Sequence, residues 1–275
     1  MKQMNNDELL LKENIEARYE KLTLKDDFMF GKIMQNEQNC IDMLERLTGN
    51  KIESVKSSIN QKSIRITNDS KGVRYDVYVE DGNTNIYDTE MQQNKQDTEE
   101  LSKRIRFYQG MVDLNLLESG GEYSELKNSY IIFICTFDPF GKGLYCYEFK
   151  NICKDDAELS LLDGRKILIY NTKGKNINVS KKTMDFLDYI ETNKVCDEYT
   201  ERLNKDVAIA RMNKEWRVEY MKTLLHDSDV KREGREEQKR IIVINMLRKG
   251  IDISEICELA ECSAKYVEEV RRTME

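Results

Sequence analysis

The stretch Arg74-Tyr75-Asp76-Val77-Tyr78-Val79-Glu80-Asp81-Gly82-Asn83-Thr84-Asn85-Ile86-Tyr87-Asp88-Thr89-Glu90-Met91-Gln92 decides how the chain is read. Polar and apolar residues alternate on both sides of Asp81-Gly82-Asn83, the pattern of two strands joined at a hairpin tip. Residues two apart on a strand share a face, so Glu90 and Gln92 point the same way. Whether Asp76 joins them depends on the loop. An odd-numbered loop, for example residues 81–83 with 80 opposite 84, sets Asp76 facing Asp88 and leaves Glu90 diagonal to it at roughly 7–8 Å. A two-residue loop pairs 76 with 87 and turns Asp76 to the other face. The Gly82-Asn83 step suits the left-handed position of a three-residue loop. The sequence permits convergence without imposing it.

Upstream, residues 1–50 read as helices that stop at Thr48-Gly49-Asn50. Ile52 to Ile66 reads as one or two strands, followed by the turn cluster Asn68-Asp69-Ser70-Lys71-Gly72. Downstream, Asp97-Thr98-Glu99-Glu100 opens a helix with acids at its positive end. Leu101, Ile105, Tyr108, Val112 and Leu116 give that helix one apolar stripe, ending near Gly120-Gly121. Tyr130 to Cys135 is apolar on both faces and predicts a central, buried strand. Leu144 to Phe149 and Lys166 to Tyr170 add two more strands, and Lys181 to Ile190 a short helix. Beyond Val195 the strand pattern vanishes, and Cys196–His226 and Gln238–Arg272 read as helical around a charged linker, Lys231–Arg240. The expected fold class is α/β, a mixed sheet flanked by helices over residues 1–195, with an all-helical tail over 196–275.

Composition narrows the chemistry. The 275 residues carry 44 Lys and Arg against 51 Asp and Glu, a net −7. That is the wrong sign for coating nucleic acid non-specifically, though it leaves room for a local basic groove. The longest apolar-rich run, Tyr130 to Phe137, is far short of the roughly 18 residues a membrane span needs. Residues 1–22 lack the apolar segment of a secretory signal. Seven cysteines without a Cys-x-x-Cys pair read as reduced thiols, and the expected location is the cytoplasm. The single histidine, His226, excludes two-histidine zinc sites and leaves a histidine-based triad only that residue. Catalysis here is expected to rely on carboxylates and a hard metal. Two carboxylates on one face beside an amide suit magnesium, which takes oxygen ligands, keeps several waters, and can acidify one of them for attack on a phosphate. The plainer reading of such acids is a solvated sheet face.

Arg74-Tyr75-Asp76-Val77-Tyr78 followed by Tyr87-Asp88-Thr89-Glu90-Met91-Gln92 resembles the signature of the Rpn family of recombination-promoting nucleases and putative transposases, within the PD-(D/E)XK nuclease superfamily. Four other blocks agree in order: Lys25 to Phe30, Lys103 to Gln109, Gly121 to Leu126, and Tyr130 to Gly141. The resemblance spans roughly residues 22–175 and implies a restriction-endonuclease-like core that cleaves DNA phosphodiesters with Mg²⁺, Mn²⁺ being the expected substitute. On the motif positions Asp76 and Glu90 would be the metal carboxylates, with the Met91 carbonyl as a further ligand. Gln92 stands where the superfamily pattern has lysine. A neutral amide offers only a dipole where lysine offers a charge to stabilise the attacking hydroxide or the phosphate, and it cannot act as a base.

Asp27, in the first matched block, is a candidate for holding a metal-bound water, its plainer role being a helix-start acid. Lys95, Lys103, Arg104, Arg106 and Tyr108 are candidates for contacting DNA phosphate, Arg104 and Tyr108 sharing a helix face four residues apart. The tail from Met246 to Val267 resembles a helix-turn-helix, yet across 251–275 seven acids stand against three bases. Self-association into a homo-oligomer, or binding of a partner, is therefore its expected role. Two alternatives to the nuclease stand beside it. One is a cleavage-inactive relative that binds DNA or a protein partner through its tail; the other is a sequence-specific regulator using residues 241–272.

Overall fold

The computed structural model describes residues 6–60, 63–64, 73–83, 85–117 and 121–274. The predicted turn cluster 68–72, Thr84 and Gly120 lie outside them. The chain forms two compact units, Arg18–Asn213 and a smaller one made of Met1–Ala17 with Lys214–Glu275. Helix α1 (Asn6–Tyr19) runs across the first junction in sequence.

The larger unit is built on a six-stranded sheet ordered β1-β4-β5-β6-β8-β7. Its strands are β1 (Val55–Asn60), β4 (Val77–Asp81), β5 (Ile86–Gln92), β6 (Ser129–Cys135), β7 (Cys146–Phe149) and β8 (Arg165–Asn171). Two-residue strands β2 (Ser63–Ile64) and β3 (Val73–Arg74) pair separately. The ladder is antiparallel through β1, β4 and β5, parallel through β5, β6 and β8, and antiparallel again at the β7 edge. This is the expected mixed α/β sheet. Every residue of β5 and of β6 is buried, as the two-sided apolar pattern of β6 requires.

Parallel β5 and β6 need a crossover, and helix α4 (Thr98–Leu116) supplies it. Its stripe of Leu101, Ile105, Tyr108, Met111 and Val112 packs in one core with Ile131, Phe133 and Cys135 of β6 and Ile169 of β8. Helices α2 (Asp27–Ile33), α3 (Glu37–Thr48), α5 (Lys181–Thr192) and α6 (Glu198–Met212) complete the unit, with α2 packed on β5. Helix α3 stops where predicted, with Gly49 in the left-handed region at φ +73°.

The boundary expected at residue 195 falls short of the end of this unit. Helix α6 belongs to the larger body: Leu203, Val207 and Ala210 are buried, and α6 packs on α2, α3 and α5. The Tyr199 hydroxyl donates to the Asn39 carbonyl at 2.9 Å, and Arg202 bonds Asn39 and Asp42. The loss of strand pattern at 195 marks the last strand, which is not where the core ends.

In the smaller unit the segment expected to be a linker lies inside one helix, α7 (Lys214–Arg248). Gly250, at φ +72°, and Asp252, which caps α8 (Ile253–Leu259), make the turn that follows. Ser263 caps α9 (Ala264–Arg272). Val243, Ile256, Val267 and Val270 form the core of these three helices. No described helix is long and apolar enough to cross a membrane.

The β4–β5 connection has the odd length that convergence needs but differs from the expected register. Tyr78 pairs with Asp88 and Glu80 with Ile86, so five residues, 81–85, lie between the last paired positions. Continued by one pair, this ladder sets Asp76 level with Glu90, and the expected pairing with Asp88 is corrected. Asp81 is the cause. Its buried carboxylate accepts from Asn83 N–H (2.9 Å), Asn85 N–H (2.8 Å), Asn85 Nδ2 (2.8 Å) and the Tyr87 hydroxyl (3.0 Å). Asp81→Ala leaves those donors without that acceptor and should cost about 2–3 kcal/mol. A urea titration should show this as a lower midpoint at unchanged slope; a wild-type midpoint would remove Asp81 as the register lock.

Candidate active site

Alternation along β5 carries Asp88, Glu90 and Gln92 to the side where α4 packs, level with Ile131, Phe133 and Cys135 of β6. Asp76 sits in the bend just before β4 and is tied to β5 twice. Its N–H donates to Glu90 Oε1 at 2.9 Å, and its Oδ2 accepts the Met91 N–H at 3.0 Å. Each acid thus grips the other strand's backbone. Met91 takes part through its main chain, its side chain being buried.

Arg104 reaches down from α4 into the same place. Its Nη2 donates to Glu90 Oε2 at 3.0 Å and to the Tyr108 hydroxyl at 2.9 Å, and its Nη1 donates to Gln92 Oε1 at 2.7 Å. The guanidinium carbon lies 5.0 Å from the Tyr108 ring centre and 5.3 Å from that of Phe133, within cation–π range. Gln92 Nε2 donates to the Asn94 carbonyl at 2.6 Å, which holds the amide in one orientation. Thr98 Oγ1 donates to the Pro139 carbonyl at 2.6 Å, tying the start of α4 to the loop beyond β6.

Burial dominates the electrostatics. Glu90 is 2% exposed and Asp88 fully buried. Desolvation holds Asp88 well above the usual carboxylate range, and the charge of Asp76 pushes the same way. Glu90 is raised by desolvation and then by Asp76 and Asp88, against the lowering pull of the Asp76 N–H and Arg104. Burial also raises the Tyr108 hydroxyl, Glu90 adding to the effect. Neither Asp88 oxygen has a hydrogen-bond donor among the described residues. Its polar neighbour is the Glu90 carboxyl, and two carboxylates can bond only when one carries a proton. The site therefore gathers carboxyls whose ionised forms are costly as they stand, and a cation would favour those forms. Among the described residues no three Asp, Glu, His or Cys side chains form a ready set of metal ligands. Two carboxylates with a main-chain oxygen remain enough for an ion that keeps several waters.

The other sequence candidates scatter. Asp27 opens α2 and accepts its neighbour Phe28's N–H at 2.8 Å. Gly31, one turn along that helix, packs beside the Asp76 carbonyl, so α2 passes close to the acids. Lys103 pairs with Glu99 on the surface at 2.6 Å. Arg106 is exposed and, two residues from Arg104, lies on a different side of α4; Lys95 is exposed in the connection before it. Of the five phosphate candidates only Arg104 and Tyr108 join the acids. Sequence reasoning passed over Asp88 as a site residue, although its place two residues before Glu90 was the available signal.

A cavity of about 870 Å³ opens on the opposite side of the sheet, lined by Arg46, Tyr130, Lys166 and Tyr170 among others. None of the motif acids lines it. Concavity and chemistry point to different places, and the buried charge is the stronger guide, because its energetic cost calls for a compensating role.

The model of the PD-(D/E)XK nuclease family transposases matches residues 24–218. The chain belongs to that family. Its match ends within a few residues of Asn213, where the larger unit ends. Among curated proteins and solved structures nothing matches. Membership gives this PD-(D/E)XK protein a nuclease- or transposase-like role of the hydrolase type, with nucleic acid as the substrate class, and agrees with the resemblance carried by the five sequence blocks.

Asp88→Asn replaces a buried carboxyl, whose ionised form burial and Asp76 both disfavour, with a neutral side chain of the same shape. In chelator the variant should be more stable than wild type by about 1 kcal/mol or more. A fall in its melting temperature would mean that the carboxylate is held by a donor.

Proposed function

We propose that the protein is a divalent-metal-dependent DNA endonuclease, using Mg²⁺ with Mn²⁺ as substitute, in recombination, mobile-element or defence processes. One observation carries the reading. Asp76 and Glu90 are cross-tied between neighbouring strands, on the face where Gln92 and Arg104 also meet. Asp88, buried beside them, is a further carboxyl whose ionised form a cation would favour.

Asp76 and Glu90, with the Met91 carbonyl, would hold the ion. Bound there it supplies Lewis acidity, drawing charge from a phosphate oxygen and making a water more acidic. Hydrolysis adds water across one P–O bond. The water oxygen bonds to phosphorus, the bond to the leaving sugar oxygen breaks, one proton leaves the water, and one reaches the leaving oxygen. Gln92, pinned by Asn94 and Arg104, orients the water through its amide and carries no proton away. Asp27, at the start of the helix whose Gly31 lies beside the Asp76 carbonyl, would serve through a water. Lys95, Lys103 and Arg106 are the outlying cations for the DNA backbone, where they add affinity without sequence preference.

A second reading, a non-cleaving relative that binds DNA or a protein partner, is favoured by the neutral Gln92 and by the hold of Arg104 on Glu90. Calorimetric titration separates the two, since a scaffold need take up neither Mg²⁺ nor Mn²⁺.

Supercoiled plasmid should be nicked only with Mg²⁺ or Mn²⁺ present. Asp76→Ala and Glu90→Ala should each lower the rate by about 100-fold or more. Undiminished cleavage by both variants would be incompatible with this site.

A further inference from the structure

We infer that Arg104 is the internal counter-ion of the site: a divalent cation at Asp76 and Glu90 displaces it from Glu90, and the released guanidinium then takes up the scissile phosphate. The inference rests on the nuclease reading and adds a second duty to one side chain.

The geometry carries it in four steps. Glu90 Oε2 accepts from Arg104 at 3.0 Å, Asp88 is buried two residues away on the same face, and the Asp76 N–H is tied to Glu90 Oε1. In a site with little water such charges are poorly screened, so one positive group must stay while no metal is present. Glu90 Oε2 accepts from Nη2, and a metal ion would need the same lone pairs. The two cations compete for one oxygen.

Loss of that bond does not set Arg104 adrift. Nη1 is held by Gln92, and the guanidinium lies against the Tyr108 and Phe133 rings. It stays beside the acids after giving one of them up.

The freed group suits a phosphate. Its planar fork has five N–H donors, of which three have acceptors among the described residues, and its side chain is 30% exposed. That leaves donors for a bidentate contact with phosphate oxygens. The neutral Gln92 leaves a need for positive charge at this end of β5, and Arg104 is bonded to that amide.

Full-length wild type, Arg104→Gln and Arg104→Lys should be titrated with Mg²⁺ and Mn²⁺ by calorimetry and assayed for plasmid nicking. Arg104→Gln should bind Mg²⁺ about 3- to 10-fold more tightly, because Glu90 is no longer contested. The same variant should nick about 100-fold or more slowly. Arg104→Lys should keep near-wild-type Mg²⁺ affinity, since an ammonium still neutralises Glu90. Lacking the fork, it should nick about tenfold more slowly. Unchanged or weaker Mg²⁺ binding by Arg104→Gln would overturn the displacement, and wild-type nicking by either variant would overturn the phosphate contact. If Arg104→Gln does not give a wild-type circular dichroism spectrum, Arg104→Met, of similar length and likewise uncharged, repeats the Mg²⁺ titration, and Arg104→Lys decides the phosphate contact by its nicking rate. A wild type that takes up neither ion and nicks nothing would sink the nuclease reading itself, a pattern distinct from active wild type and equally active variants.

Discussion

Carboxylates packed into the middle of a sheet lose their hydration and repel one another, and that electrostatic burden organises the rest of the larger unit. A sheet centre ordinarily holds side chains like those of β6, where Ile131, Ile132, Phe133 and Ile134 are fully buried. β5 keeps the same burial but places Asp88 and Glu90 within it. One main-chain N–H, that of Asp76 just before β4, and one guanidinium from the crossover helix take up the burden at Glu90; Asp88 keeps the remainder.

The scaffold explains how such a cluster is held. The crossover required by parallel β5 and β6 lays α4 over the acids, and the apolar stripe that fastens α4 to the sheet fixes where Arg104 descends. Tyr108 serves both ends of this arrangement: its ring packs in the core while its hydroxyl accepts from the guanidinium. Fold and chemistry here share side chains. A change in the packing of α4 would move a charge as well as a surface.

Much of this was legible in the sequence, for stated reasons. Alternation revealed the faces of β4 and β5, the two-sided apolar run revealed β6, and the i, i+4 stripe revealed α4. The parity of the hairpin stayed open, since the turn residues suit an odd loop without excluding a two-residue one, and the ladder alone settles it. The exact pairing stayed open too, because it depends on Asp81, whose carboxylate folds back on Asn83, Asn85 and Tyr87, a local bonding pattern that strand periodicity does not encode. The inward turn of Arg104 was hidden because a basic residue on an amphipathic helix ordinarily faces water; only contact with Glu90 and Gln92 across the chain distinguishes it from Lys103 and Arg106. The end of the unit was misplaced because α6 is helical like the segment after it, and only packing separates them.

The odd spacing between the paired ends of β4 and β5 also constrains how this family member can diverge. Surface hairpin tips commonly tolerate insertions and deletions. Here a net change of one residue, with the ladder re-formed around it, would exchange the two sides of one strand and send Asp76 away from Glu90. A net change of two would preserve sidedness and slide the acids by one pair. Length variation at this tip should therefore be filtered by evenness, so that functional descendants differ from one another there by pairs of residues.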